Sequence, residues 1–314
     1  MEIFHFKKDL QVMRWRKVSL SLSLLFTIIS IVALSVRGLN LGVDFTGGTV
    51  LEVSYAQSVN LDSIRQALED SGMGHASVQN FGTTRDALIR LPIHAEMSTA
   101  QFSAQVFDVL KAQDASAELR RVEFVGPQVG QELYENGGLA LIVVGIGIMI
   151  YLAMRFEWRF AVAAIIANVH DVLTILGIFA LFQLEFNLTV LAGVLAVLGY
   201  SVNESVVVFD RVRENFRTMR KASVAEVINN AITRTMSRTV ITHFSTELAV
   251  LAVLFLGGEM LHNFAIALTI GILFGIYSSI LVGSPIAMWL GVSREHMMPV
   301  KKEGVEEMEP EKFL

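Results

Sequence analysis

Gly199-Tyr200-Ser201-Val202-Asn203-Glu204-Ser205-Val206-Val207-Val208-Phe209-Asp210-Arg211-Val212-Arg213-Glu214-Asn215 closes an apolar run that begins near Leu188. That run is long enough to cross a bilayer as a helix. Asn203 and Glu204 then fall inside a span, and Asp210, Arg211 and Arg213 mark where it meets water. Glu204 precedes Asp210 by six residues, about 9 Å at helical rise, too deep for a short carboxylate to reach the headgroups. Ionisable groups inside a span are costly and face protein or a water cavity, so Glu204 is a functional candidate.

The whole chain fits this reading. Of 314 residues, 53% are hydrophobic and 18% charged, with a mean hydropathy of +0.53, the composition of a multi-span membrane protein. The absence of cysteine removes disulfide, thiol and zinc-thiolate chemistry. No Walker loop, GxGxxG after a strand, HExxH or GxSxG occurs. Neither an enzyme nor a cofactor, metal or nucleic-acid partner is expected.

Working outward, residues 1–17 are charged and basic, and 18–36 form a first apolar run of 19 residues. At about 28 Å it spans a bilayer, whereas the apolar core of a signal peptide is usually shorter. Residues 37–137 read as a water-soluble α+β domain. A turn at Asp44-Phe45-Thr46-Gly47-Gly48 feeds a strand in which Leu51, Val53 and Tyr55 share one face. Leu61, Ile64 and Leu68, then Phe102, Val106 and Leu110, recur at helical spacing, the second helix capped by Ser98 or Thr99. Short strands are expected at 76–81, 87–91 and 118–125. The order βαββαβ is the ferredoxin-like split motif, with Arg120-Arg121 interrupting the alternation of its last strand.

Five further spans are expected at 138–154, 160–182, 188–209, 240–256 and 264–290. Lys and Arg crowd the loops 155–159 and 210–239 and are missing from 183–187 and 257–263. The positive-inside rule then places both termini and the 210–239 hairpin in the cytoplasm and the α+β domain outside. Ser223-Val224-Ala225-Glu226 fits a capping box opening a short amphipathic helix within that hairpin. The mixed-charge tail 291–314 is expected to be disordered.

Other polar side chains break the spans. His170-Asp171 lies midway along 160–182, serving either interhelical hydrogen bonding or a proton path. Arg238 opens the fifth span with Thr242 on its stripe; it anchors a helix end or reaches in to Glu204. A cation near that carboxyl favours its charged form, and burial without one favours the neutral form. His243 and Glu247 sit one turn apart and are expected to pair, structurally or functionally. Gly271, Gly275 and Ser279 form a small-residue packing seam.

These residues carry a resemblance. Asp44-Phe45-Thr46-Gly47-Gly48-Thr49, Val122-Glu123-Phe124-Val125-Gly126-Pro127, Arg155-Phe156-Glu157-Trp158-Arg159, His170-Asp171, the opening stretch, and Arg238-Thr239 with Thr242 resemble the SecF branch of the SecD/SecF protein-export family. The match covers essentially the full length. It implies a mostly α membrane protein, six transmembrane helices forming half of a resistance-nodulation-division bundle, beside an extracytoplasmic domain. It further implies a heterodimer with a SecD-like subunit in the bacterial cytoplasmic (inner) membrane. The SecYEG translocon, a YajC-like small subunit and translocating preproteins are the other implied partners, and the proton motive force the energy source. Glu204 takes the family's proton-responsive acidic position, where Asp is usual, and Arg238 that of its arginine partner. The proton-coupling set is then Glu204, Arg238 and Asp171, supported by Asn203, His170, Thr242, His243, Glu247 and Asp210. His243 and Glu247 stand where relatives are apolar or hydroxylated, so their roles cannot be borrowed. A half-transporter exporting lipids or small molecules is the alternative, and a passive scaffold without proton chemistry is a third reading.

Overall fold

The structure is a computed structural model and describes residues 8–73, 76–92 and 99–295. Among the described residues, six helical segments are long and apolar enough to cross a membrane: Val12–Val36, Pro127–Arg155, Trp158–Phe182, Leu188–Thr218, Val224–Leu256 and Met260–Trp289. The first is a 3₁₀ turn, Val12–Trp15, running into α1 (Arg16–Val36). After α1 come β1 (Asn40–Leu41), α2 (Val43–Thr46), β2 (Gly48–Ser54), α3 (Leu61–Asp70), β3 (Ser77–Phe81), β4 (Thr83–Leu91), α4 (Thr99–Gln113) and β5 (Glu118–Val125). The bundle continues with α5 (Pro127–Arg155), α6 (Trp158–Phe182), β6 (Glu185–Phe186), α7 (Leu188–Thr218), α8 (Val224–Leu256), α9 (Glu259–Ser278), a π-helical turn Ser279–Gly283 and α10 (Ser284–Trp289).

The small domain is the expected βαββαβ unit, its sheet ordered β3-β4-β2-β5 with all neighbours antiparallel. Leu51, Val53, Ile64, Leu68, Ile89, Val106 and Leu110 fill the core between sheet and helices. β4 starts at Thr83, four residues earlier than expected, because Gly82 makes the turn at φ +73° and pairing resumes at once. Arg120-Arg121 is accommodated because β5 is an exposed edge strand carrying a bulge opposite Glu52 and Val53. The turn at Asp44 is a short helix, followed by Gly47 and Gly48 at positive φ. It packs on the start of α5, where a Cβ on Gly130 would lie 2.8 Å from the Gly47 nitrogen.

Three features seat the domain on the bundle. β1 pairs in parallel with β6, Phe45 stacks on Phe186 with centroids 5.9 Å apart, and Arg90 of β4 forms a mostly buried ion pair with Glu185. Burial lowers the Arg90 guanidinium below its ordinary value, and the nearby Asp44 carboxylate works against that lowering. The Asp44 carboxylate accepts the Leu188 N–H at 2.8 Å, joining the Gly-Gly turn to the start of α7.

The spans run further than hydropathy alone shows. α5 begins at Pro127, about three turns ahead of the apolar run, since Pro suits a first helical turn. α7 extends to Thr218, and the capping box at Ser223 starts a helix that continues unbroken to Leu256. The amphipathic segment expected inside the hairpin is therefore the first turns of α8. Close contacts run where glycine permits them: a Cβ on Gly177 would lie 2.5 Å from the Ser30 Cα, and one on Gly271 2.2 Å from the Val197 side chain. Pro285 lacks the N–H that would bond the Leu281 carbonyl, and the Ser284 N–H reaches Ser279 instead, closing the π-turn. The described residues end at 295, so most of the 291–314 tail, the Ser98 cap and the start of 1–17 lie outside them.

Candidate functional site

α7 is the central helix, packed against α5, α6, α8 and α9, and its Glu204 is only 5% exposed. The Asn187 side chain caps the helix by accepting the Val190 N–H at 3.0 Å, which helps fix which residues turn inward. The Glu204 carboxylate accepts a hydrogen bond from Thr239 of α8, Oγ1 to Oε1, at 2.6 Å. Thr239 Oγ1 also lies 3.2 Å from the Thr235 carbonyl. One hydroxyl hydrogen thus faces two acceptors. With Glu204 charged, that hydrogen goes to the carboxylate; with Glu204 protonated, Glu204 can donate to Thr239, whose hydrogen turns back to Thr235. The α7–α8 contact is therefore sensitive to one proton.

His243, one turn along α8 from Thr239 and 3% exposed, completes the pocket. Its Nδ1 is 2.8 Å from the Thr239 carbonyl and 3.9 Å from Glu204 Oε2. Its ring meets Tyr200 edge-on at 5.0 Å. The expected His243–Glu247 pair does not form: no hydrogen bond or ion pair joins them among the described residues, and Glu247 Oε2 is buried without a partner. Sharing a helix face leaves rotamers free, and His243 turns toward α7.

Arg238 also differs from expectation. It is exposed, and no ion pair joins it to Glu204 among the described residues. It lines an open groove with Asn203, Asp210, Arg211, Glu214, Arg234 and Thr235. Adjacent helix positions point about 100° apart, so with Thr239 turned to Glu204, Arg238 faces sideways. Asp210 pairs with Arg155 at 3.0 Å across the hairpin-side ends of α5 and α7. Thr242 is exposed, bonding back to the Arg238 carbonyl at 2.9 Å.

Asp171 forms a second buried centre. Its Oδ2 accepts hydrogen bonds from Ser201 of α7 at 2.6 Å and Ser278 of α9 at 2.7 Å. His170 Nδ1 lies 3.3 Å from Oδ1, its ring beside Phe274 and Tyr277. One carboxylate thus ties three helices beside the π-turn, through one serine three residues before Glu204. Thr239, Ser201 and Ser278 are the members that sequence reading missed. Hydroxyl residues are common in spans, and only their spacing from Glu204, His243 and the glycine seam marks them out.

Comparison with known proteins shows the family. The model described as "Protein export membrane protein SecD/SecF, C-terminal" matches residues 105–293, and the "SecD/SecF GG Motif" matches 32–59. The chain belongs to the SecD/SecF family of protein-export membrane proteins. Its relatives include SecF subunits, and it is an accessory subunit of Sec protein export. It is 47% identical to the protein translocase subunit SecF of Vibrio alginolyticus over 97% of this chain and 98% of that one. It is 40% identical to the SecF of Escherichia coli O157:H7, over 98% and 96%. The crystal structure of SecDF, a translocon-associated membrane protein from Thermus thermophilus, superposes with a TM-score of 0.83 at 35% identity over 92% of this chain. SecDF in its super-membrane-facing form gives 0.69. The chain spans 39% and 40% of the lengths of these two SecDF chains.

Proposed function

We propose that this chain converts proton entry into motion that drives late steps of preprotein translocation, as one half of a heterodimer with a SecD-like subunit at the SecYEG translocon. The observation that carries this is the buried Glu204 carboxyl, whose protonation state decides where the single Thr239 hydrogen points. One charge crossing 100 mV supplies about 2.3 kcal/mol, enough to bias a two-state movement roughly fifty-fold. The contacts through Asp44 and the Arg90–Glu185 pair give the bundle a handle on the outer domain. A SecD-like half is expected on the face where Asn203, Arg238 and Thr242 lie exposed at membrane depth. Such side chains are unfavourable against lipid and call for a polar protein neighbour. A YajC-like subunit is a further candidate partner.

In proteoliposomes carrying this chain, its SecD-like partner and SecYEG, completion of a half-translocated preprotein should speed up when a proton gradient is imposed. A rate indifferent to the gradient would favour a passive scaffold.

The membrane is proposed to be the bacterial cytoplasmic membrane, with both termini and the α7–α8 hairpin inside. A cysteine at Gln66 should react with an impermeant thiol reagent in intact cells and one at Arg217 should not. Labelling at 217 alone would reverse the orientation.

A further inference from the structure

His243 and Glu247 of α8, on the domain side of Glu204, each carry a buried polar atom without a partner. The Thr239 carbonyl can only accept, so the 2.8 Å contact requires the hydrogen on His243 Nδ1. The neutral ring then carries its lone pair on Nε2, and that atom is buried without a partner. Glu247, one turn further toward the small domain, has Oε2 in the same condition, as does Thr269 Oγ1 on the stripe of α9 that packs against Val250. Buried polar atoms left unpaired are costly, and these three lie on the domain side of Glu204.

We propose that Glu247 and His243 form a proton relay that delivers protons from the outer side to Glu204. This rests on the proton-coupling reading of Glu204 and adds the route. The protonated Glu247 carboxyl gives its hydrogen to His243 Nε2, across a gap of about 6 Å between Cβ atoms that one water spans. The imidazolium then holds hydrogens on both nitrogens, and its Nδ1–H passes to Glu204 Oε2, 3.9 Å away, after a small closure of α7 on α8. Glu247 is left as a carboxylate and recovers a proton from outside. The ring, neutral with its hydrogen on Nε2, regains the Nδ1–H form by tautomer exchange. The neighbours permit this path. From α7 the ionisable groups are Glu204 and Tyr200, the latter held by hydrogen bonding to Thr246 Oγ1 at 3.3 Å. α9 has no ionisable side chain from Phe264 to Ile276. On α8 itself Arg238 faces the groove. The remaining neighbours of α8, the Val12–Trp15 turn and α10, pack around its hairpin-side half.

The test uses the complete complex with its SecD-like partner in vesicles, measuring proton entry after a pH step with a trapped pH dye. Glu247→Gln keeps the shape and His243→Ser the polarity. Each should slow entry at least tenfold and alter its pH profile, and Glu247→Asp should restore most of the rate. If Glu204→Gln stops entry while both relay variants keep the normal rate and pH profile, the relay is wrong and the proton site stands. If Glu204→Gln leaves entry unchanged, the proton-coupling reading itself fails.

Discussion

Replacing Glu204 by Gln leaves the protein inserted and folded but removes the acceleration of export by the proton gradient, a loss of up to about fifty-fold at 100 mV. The glutamine carbonyl can still accept the Thr239 hydroxyl hydrogen that reaches Glu204 at 2.6 Å, so the α7–α8 contact survives. What disappears is the second state, in which position 204 carries the proton and Thr239 bonds back to Thr235. Glu204→Asp keeps a titrating carboxyl and should work at least in part. Its side chain is one methylene shorter, and the 2.6 Å contact must be remade by a small shift of α7. The measurement is preprotein export in cells depleted of the native protein, with membrane levels checked by blot. Full export by Glu204→Gln would leave the scaffold as the better account.

Arg238→Met should fall nearly as far. Methionine keeps an apolar stem in the groove and removes the charge. Arg238 stands clear of Glu204 in this structure, beside Arg234, while the groove's Arg211 pairs with Glu214 at 2.7 Å. A carboxylate released from Thr239 needs a cation to hold its charged form, and the proposed coupling gives that role to Arg238, one residue along the same helix. Arg238→Lys retains the charge and loses the forked donor geometry, so intermediate export is expected. The same depletion assay decides it. Normal export by Arg238→Met would show that Thr239 and His243 suffice to hold Glu204 in both states.

The two substitutions act on different parts of one equilibrium, which separates them from structural damage. Loss of Asp171, by contrast, would strip acceptors from Ser201 and Ser278 and loosen three helices together. Its effect would register in protein level as well as in export.

The spans, the βαββαβ domain and the candidacy of Glu204 were all legible in the chain's local patterns. Hydropathy over twenty residues and alternation within a strand are local signals, and a carboxylate at membrane depth is conspicuous because lipid offers it no partner. The capping box at Ser223 was equally legible, since its two bonds are made within four residues. Which side chains meet was settled by the packing of the helices. From sequence Arg238 either anchors a helix end or reaches in to Glu204; in the fold its neighbour Thr239 makes the Glu204 contact, because a one-residue difference in facing is a rotation of about 100°. His243 and Glu247 share a face and still do not pair, because the Thr239 carbonyl and the Glu204 carboxylate compete for the imidazole. Ser201, Ser278 and Asp171 come from three helices separated in sequence by up to 107 residues. No local pattern encodes such a meeting; it follows from helix crossings set by the contacts at Gly177 and Gly271.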